Sequence, residues 1–323
     1  MKTTVTHSRR VRARPRYASV ALFGSLVMGG CLRSALVSAT PLLETELASF
    51  TVLGGAAVTN VPTSAIVGNV GVWSSGGANA VTGFNSSPGV TVSDPQVTGG
   101  TVQAGTMTGS PNAMTAQQQL ITAITNLGSL GPGTLEPADL TGLTLLPGVY
   151  TVPAGTTNLS GTLTLDGNGN SNAAWVFQMP STLITSPDSV VTVVNTGAGA
   201  GVYWNVGSSA TIDASTTFAG NILALDSITM GTAASEFCGR SLAETGAVTL
   251  QQNSLSGTCS GVAAGNGGLS SGLSGGLDVA KFDRVSILPY ASVPEPSTLS
   301  LLVLGLIVIG FAARTRRQKP GVS

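Results

Sequence analysis

Between residues 45 and 262, apolar and polar positions mostly alternate. "TLTLD" (162–166), "VVTVVN" (190–195) and "SITM" (227–230) place apolar side chains at every second position, the period of a half-buried strand. Gly and Asn-Gly steps, such as "DGNGN" at 166–170, separate these runs as turns. The pattern also repeats. "FAGNILALDSITM", from Phe218, and "FCGRSLAETGAVTL", from Phe237, align Phe218 with Phe237, Gly220 with Gly239, Leu223 with Leu242 and Ala224 with Ala243, all at one constant offset. "WNVGSSATI" from Trp204 is a further copy, and "FQMPSTLIT" from Phe177 a looser one. A period near 20 made of several short strands predicts a solenoid, because a single coil cannot bury its apolar face and must stack on its neighbours. Three short strands with turns predict a three-sided coil. "SPNAMTAQQQLITAITNLGSL" (110–130) breaks the alternation, with Met114, Leu120, Ile121, Ile124 and Leu127 at helical spacing. Ser110 as cap, Pro111 at the first position and Gly128 at the end complete a helix that would lie along one side of the solenoid.

The two ends read as sorting signals. Lys2, Arg9, Arg10, Arg12, Arg14 and Arg16 precede the apolar run "YASVALFGSLVMGG", and "LVSAT" offers Val37 and Ala39 for cleavage, so residues 1–39 are expected to be a signal peptide. A membrane anchor is the alternative, though the run is short for one; "VMGGC", ending at Cys31, loosely resembles a lipoprotein cleavage site. "GVAAGNGGLSSGLSGGLD" (261–278) has the composition of a flexible linker, and residues 263–292 are read as linker and spacer. Val293-Pro294-Glu295-Pro296, the apolar run Leu299 to Ala313, and Arg314, Arg316, Arg317 and Lys319 resemble the PEP-CTERM sorting signal over 293–319. That resemblance implies processing by an exosortase and a cell-surface or extracellular-matrix destination, with the chain held transiently in the membrane. A plain single-pass anchor is the alternative.

Setting the ends aside changes the charge. Segment 40–292 keeps three cations (Arg240, Lys281 and Arg284) against 13 carboxylates, a net charge of −10, although the whole chain sums to zero. Such a surface does not suit nucleic acid. The single histidine, His7, falls in the leader. Cys238 and Cys259 remain, an even pair in an oxidising compartment, and are expected to form a disulfide. Two thiols without histidine make no metal site, and no cofactor is expected. Carboxylates are sparse, and no histidine and one arginine assist them, so the domain is read as non-catalytic.

Several segments in order carry a family resemblance: "FTVLGGAAVTNV", "IVGNVGVW", "VTGGTVQAGT", "LTLLPGVYTV", "GTLTLDGNGNSNAAWVFQ", "WNVGSSATI" and the paired repeats from Phe218. Together they resemble the microbial ice-binding proteins with the DUF3494 domain, across about 48–257. The resemblance implies a mainly β, discontinuous right-handed β-solenoid of triangular section with one long helix alongside, whose partner is the ice surface. It also implies a Thr-Ala/Gly-x-Thr/Asn pattern on one face. Thr232-Ala233-Ala234-Ser235 nearly fits, Asp213-Ala214-Ser215-Thr216 lies one repeat earlier with a charge in first place, and Thr98-Gly99-Gly100-Thr101 and Thr141-Gly142-Leu143-Thr144 fit in full. Asp213, Ser215, Thr216, Thr232, Ala234, Ser235, Thr98 and Thr101 are therefore the expected ice-facing residues. The alternative is a surface or biofilm-matrix protein binding extracellular polysaccharide. Exposed aromatics would mark such a site, and Trp175 and Trp204 fall in apolar strand runs.

Overall fold

The computed structural model of the chain describes residues 41–74, 80–87, 89–105, 112–259, 272–280 and 284–288. The signal region 1–39 and the sorting segment 293–319 lie outside these residues. The backbone winds through three stacks of parallel strands, here A, B and C in the order visited. One coil runs Gly201–Val206 (A), Ala210–Ile212 (B) and Thr217–Ala219 (C). The next runs Asn221–Ala224, Ile228–Met230 and Ser235–Phe237, and the next Ser241–Ala243, Ala247–Gln251 and Ser254–Ser256. One strand per side in each coil makes the section a triangle. Along each strand alternate residues point inward, which is why the sequence alternates. The interior holds a line of rings: Phe177 stacks on Trp204 at 4.0 Å between centroids, flanked by Tyr150 and Phe218.

The stack does not follow chain order. The N-terminal strands Phe50–Gly54, Ala57–Val61 and Ala65–Val67 lie beside the last coil, with Val52 opposite Ser241, Ala57 opposite Ala247 and Ala65 opposite Ser254. Helix α1 (Thr45–Ser49) opens this coil, and helix α2 (Ala113–Ser129) follows it along the outside of A. Leu120, Leu127 and Ala116 of α2 meet outward Val176, Tyr203, Leu223 and Leu242 of side A, so that sheet is buried on both faces. Ser110 and Pro111 lie outside the described residues. The observed cap is Asn112, whose side chain accepts a hydrogen bond from the Thr115 amide at 3.1 Å. Gly128 lies inside the helix rather than ending it, and Ile121 faces solvent rather than the sheet.

Register corrects the repeat alignment in part. On side A, Leu223 faces Leu242 and Ala224 faces Ala243, as aligned. On side C, however, Thr217 faces Ser235 and Phe218 faces Glu236, one position short of the aligned offset. The extra residue is Cys238, in the left-handed region at φ 57°, inserted at the C-to-A corner before Gly239. Gly239 itself is required there, since a Cβ would lie 2.0 Å from the Gly220 carbonyl oxygen.

Cys238 and Cys259 are bonded, 21 residues apart. Closing a loop of that length stabilises by about 3 kcal/mol in the chain-entropy account. Reduction is therefore expected to lower the melting temperature by roughly 6–12 °C, and two reactive thiols in the denatured, unreduced protein would refute the bond.

The tail departs from the linker reading over residues 272–280 and 284–288. Leu273 and Leu277 are each 1% exposed, and Leu277–Ala280 pairs antiparallel with Arg284–Ile287. Leu273 plugs the corner beside Phe218 and Cys238, where its amide donates to the Cys238 carbonyl and its own carbonyl accepts from the Val202 amide. At the other end, Leu42 and Leu43 are buried ahead of the expected boundary at 45. Both segments belong to the folded body.

Candidate functional site

Because helices cover side A, sides B and C are the open sheets. Side B is the more regular. Thr211 faces Thr229, Thr229 faces Thr249, Thr249 faces Thr59, and Thr59 faces Thr82. Five adjacent parallel strands thus carry one outward threonine each, in register, at the roughly 4.8 Å spacing of neighbouring strands. Ile184 extends the row beyond Thr211. Three of the threonines sit between two inward apolar residues, in Ala210-Thr211-Ile212, Ile228-Thr229-Met230 and Val248-Thr249-Leu250, so core packing fixes the backbone beneath them, while Thr59 lies between buried Val58 and buried Asn60. None of these five hydroxyls has a protein hydrogen-bond partner among the described residues. Small residues flank the row: Ala57 faces Ala247, and Ser227 and Ser209 use their hydroxyls on backbone amides. Among the described residues, no strand of side B carries a charge; Asp213 and Asp226 sit at its two borders.

Side C is less even. Thr144, Thr164 and Thr192 are in register, but the row then reaches Ala219, Phe237, Ser256 and Val67 before Thr98. Strands Val190–Val194 and Thr217–Ala219 pair only at Val190 and Thr217, and a cleft of about 150 Å³ opens between them beside Phe237.

The expected residues do not lie on one plane. Thr216 and Ala234 are fully buried; the Thr216 hydroxyl lies 3.3 Å from that of Thr185, so neither residue can face a solid surface. Asp213, Ser215 and Thr232 occupy the B-to-C corner, where Ser215 is in the left-handed region and Thr232 is tied to Gln251 at 3.1 Å. Ser235 belongs to side C. Thr98 lies at the far end of the same side, and both Thr98 and Thr101 hydroxyls are engaged, with the Ile66 carbonyl and the Asn69 side chain. The repeat alignment does not find the threonine row, because it is one residue out on the sides that carry hydroxyls. An apolar-Thr-apolar triplet, recurring at 210–212, 228–230 and 248–250, is the signal that finds three of its members.

Side B thus presents, among the described residues, an uncharged sheet with five threonine hydroxyls in register. The sequence pattern of the ice-binding-like family matches residues 52–256, and the chain belongs to that family. It is 39% identical over 273 residues to an ice-binding protein of Nostoc sp. (strain HG1), covering 84% of this chain and 86% of the relative. An ice-binding protein of Flavobacterium frigoris is 31% identical over 219 residues, covering 65% of this chain and 74% of that protein. Among solved structures, the ice-binding protein LeIBP from an Arctic yeast superposes with a TM-score of 0.60 at 28% identity, covering 67% of this chain and 95% of that one. Residues 292–317 match the PEP-CTERM protein-sorting motif.

Proposed function

We propose that this exported protein adsorbs to ice through side B, with Thr82, Thr59, Thr249, Thr229 and Thr211 as the contact row. The observation that carries this reading is the in-register set of five free hydroxyls on an uncharged sheet. A branched Cβ restricts χ1, so the hydroxyl and methyl of each threonine are held before contact and little entropy is lost on docking. A charged side chain would keep its own hydration and disturb the layer. The carboxylates at the borders keep the rest of the molecule wet. The PEP-CTERM segment directs the chain to an exosortase and the cell surface, and the protein acts by adsorption rather than catalysis. The polysaccharide alternative has less support, because Trp175 and Trp204 are core residues, 0% and 1% exposed.

Thr229→Tyr and Thr249→Tyr place a ring in the middle of the row. Both are expected to abolish shaping of a growing ice crystal while moving the melting temperature by no more than about 2 °C, since outward substitutions cost about 0.5 kcal/mol. Thr164→Tyr on side C is expected to leave ice shaping intact. Ice shaping unaffected by both side-B variants but lost with Thr164→Tyr would move the contact to side C; a parent protein without effect on ice growth would end the ice reading.

A further inference from the structure

In a three-sided coil, the corner between sides C and A is the one opposite side B. The tail is seated at that corner. Leu273 bonds Cys238 and Val202 across it, the Tyr203 hydroxyl donates to the Gly275 carbonyl at 2.9 Å, and the Gly275 amide donates to Ala200 at 2.9 Å. Ala200, Val202 and Tyr203 lie at or beside the start of a side-A strand, and Cys238 directly follows the side-C strand Ser235–Phe237. The fit is backbone against backbone: a Cβ on Gly275 would lie 2.2 Å from the Gly199 carbonyl oxygen. The chain then forms the antiparallel pair Leu277–Ala280 with Arg284–Ile287, and the Leu288 amide returns to the Gly276 carbonyl at 2.9 Å. The last described residue is therefore back at the same corner, and only residues 289–292 separate it from Val293 of the sorting signal. Five peptide steps span about 17 Å at full extension.

From this arrangement we infer that the strand pair formed by residues 272–280 and 284–288 is a rigid stalk that makes the chain leave the domain at the edge opposite the threonine row, so that an anchored molecule presents side B away from the membrane. The inference rests on the proposed roles of side B and of the sorting segment. A linker flexible throughout 263–292 would let every face sample the membrane; a short exit from one corner does not. The stalk thereby selects which face meets ice outside the cell, a choice the ice-contacting residues cannot make for themselves.

The test uses the exported chain without its leader, whose cysteines are the bonded pair Cys238 and Cys259, inserted in phosphatidylethanolamine–phosphatidylglycerol vesicles carrying an acceptor dye at the headgroups. Donor dyes are placed singly at Thr82→Cys (side B), Ile121→Cys (over side A) and Thr164→Cys (side C). Transfer is expected to be lowest from position 82, and Gly275→Ala with Leu277→Ala, which release the tail, should erase the difference. Equal transfer from all three positions in the parent, or highest transfer from position 82, overturns the inference. Hydrogen exchange on the same chain in detergent decides the stalk independently: amides of Leu273 and Leu288 should be protected like those of the coils, and fast exchange there overturns it. Absence of vesicle association overturns the anchored reading, and outward presentation with it, while exchange still judges the stalk. Loss of ice shaping with Thr249→Tyr reports on side B alone.

Discussion

Replacing Arg240 with alanine is expected to lower stability by roughly 3–5 kcal/mol, which for a domain of this size is a fall of about 10 °C in melting temperature. Arg240 is 4% exposed. Its Nε and Nη2 donate to the Ala48 carbonyl at 3.0 and 2.7 Å, and its Nη1 donates to Asn221 Oδ1 at 2.9 Å and to Ser274 Oγ at 2.6 Å. Burial lowers the guanidinium to about 10, opposed by Tyr203 and Glu236, so it stays charged at neutral pH. One side chain thus joins helix α1, the middle of side A and the tail, and truncation removes the donor from three acceptors at once, leaving buried Asn221 with only the longer hydrogen bond from Ser274 at 3.4 Å. Lysine should recover only part of the loss, because a single ammonium cannot reproduce the planar fork that spans these partners. Thermal melts of the two variants measure this, and a loss below about 1 kcal/mol for alanine would show that water replaces the network.

Stability is also expected to fall as pH rises from about 5 to 9, by roughly 4 kcal/mol. The cause is Glu236, which points into the solenoid between the core positions of Phe218 and Leu255. One carboxyl oxygen accepts from Ser241 Oγ at 2.7 Å; the other, Oε1, has no hydrogen-bond partner among the described residues. Burial raises its pKa from 4.5 to about 8, against smaller opposing effects of the Ser241 hydrogen bond and Arg240. The sign follows from which state holds the proton. Below the unfolded value both states are protonated, and the group sets no penalty. Between that value and about 8 only the folded state keeps the proton, so stability declines with pH. Above it, folding buries a charge and the contribution is lost. Glu236→Gln should flatten the profile and exceed the parent above pH 8. Denaturant unfolding across this range is the measurement, and a parent profile already flat would contradict the buried neutral acid.

The solenoid and its helix are readable in the sequence because alternation and helical spacing are local signals. Phe218 and Phe237 look like partners in the sequence but are not, because Cys238 adds a residue at the C-to-A corner; side B is displaced as well, in the opposite sense, with Thr229 facing Thr249 rather than Val248. These unequal offsets hide the row through Thr211, Thr229 and Thr249 and promote Thr216 and Ala234, which are core. The tail escapes a compositional reading for a different reason. Gly and Ser dominate "GVAAGNGGLSSGLSGGLD", and the two leucines that dock it, Leu273 and Leu277, stand four residues apart among glycines and serines, a spacing that does not match the alternation of the strands. Its glycines serve close backbone approach at Gly275, a role that composition does not distinguish from flexibility. The return of the N-terminal coil onto the last one has no local signal at all, since parallel pairing between distant strands leaves no turn in the sequence.

That return carries a consequence for assembly. Thr59 and Thr249 are neighbours in space but come from opposite ends of the domain's sequence. Pairings of such separation form late, because the intervening chain must be gathered first. A growing polypeptide therefore holds one edge of its first coil unpaired until residues 247–251 have been made, and the row of threonines closes from its two ends onto a strand synthesised near the end of the domain. Until then Thr59 and Thr82 have only each other, and Thr211 and Thr229 likewise. A chain bound for export is thus kept from completing the proposed contact row while it is still being threaded through a membrane.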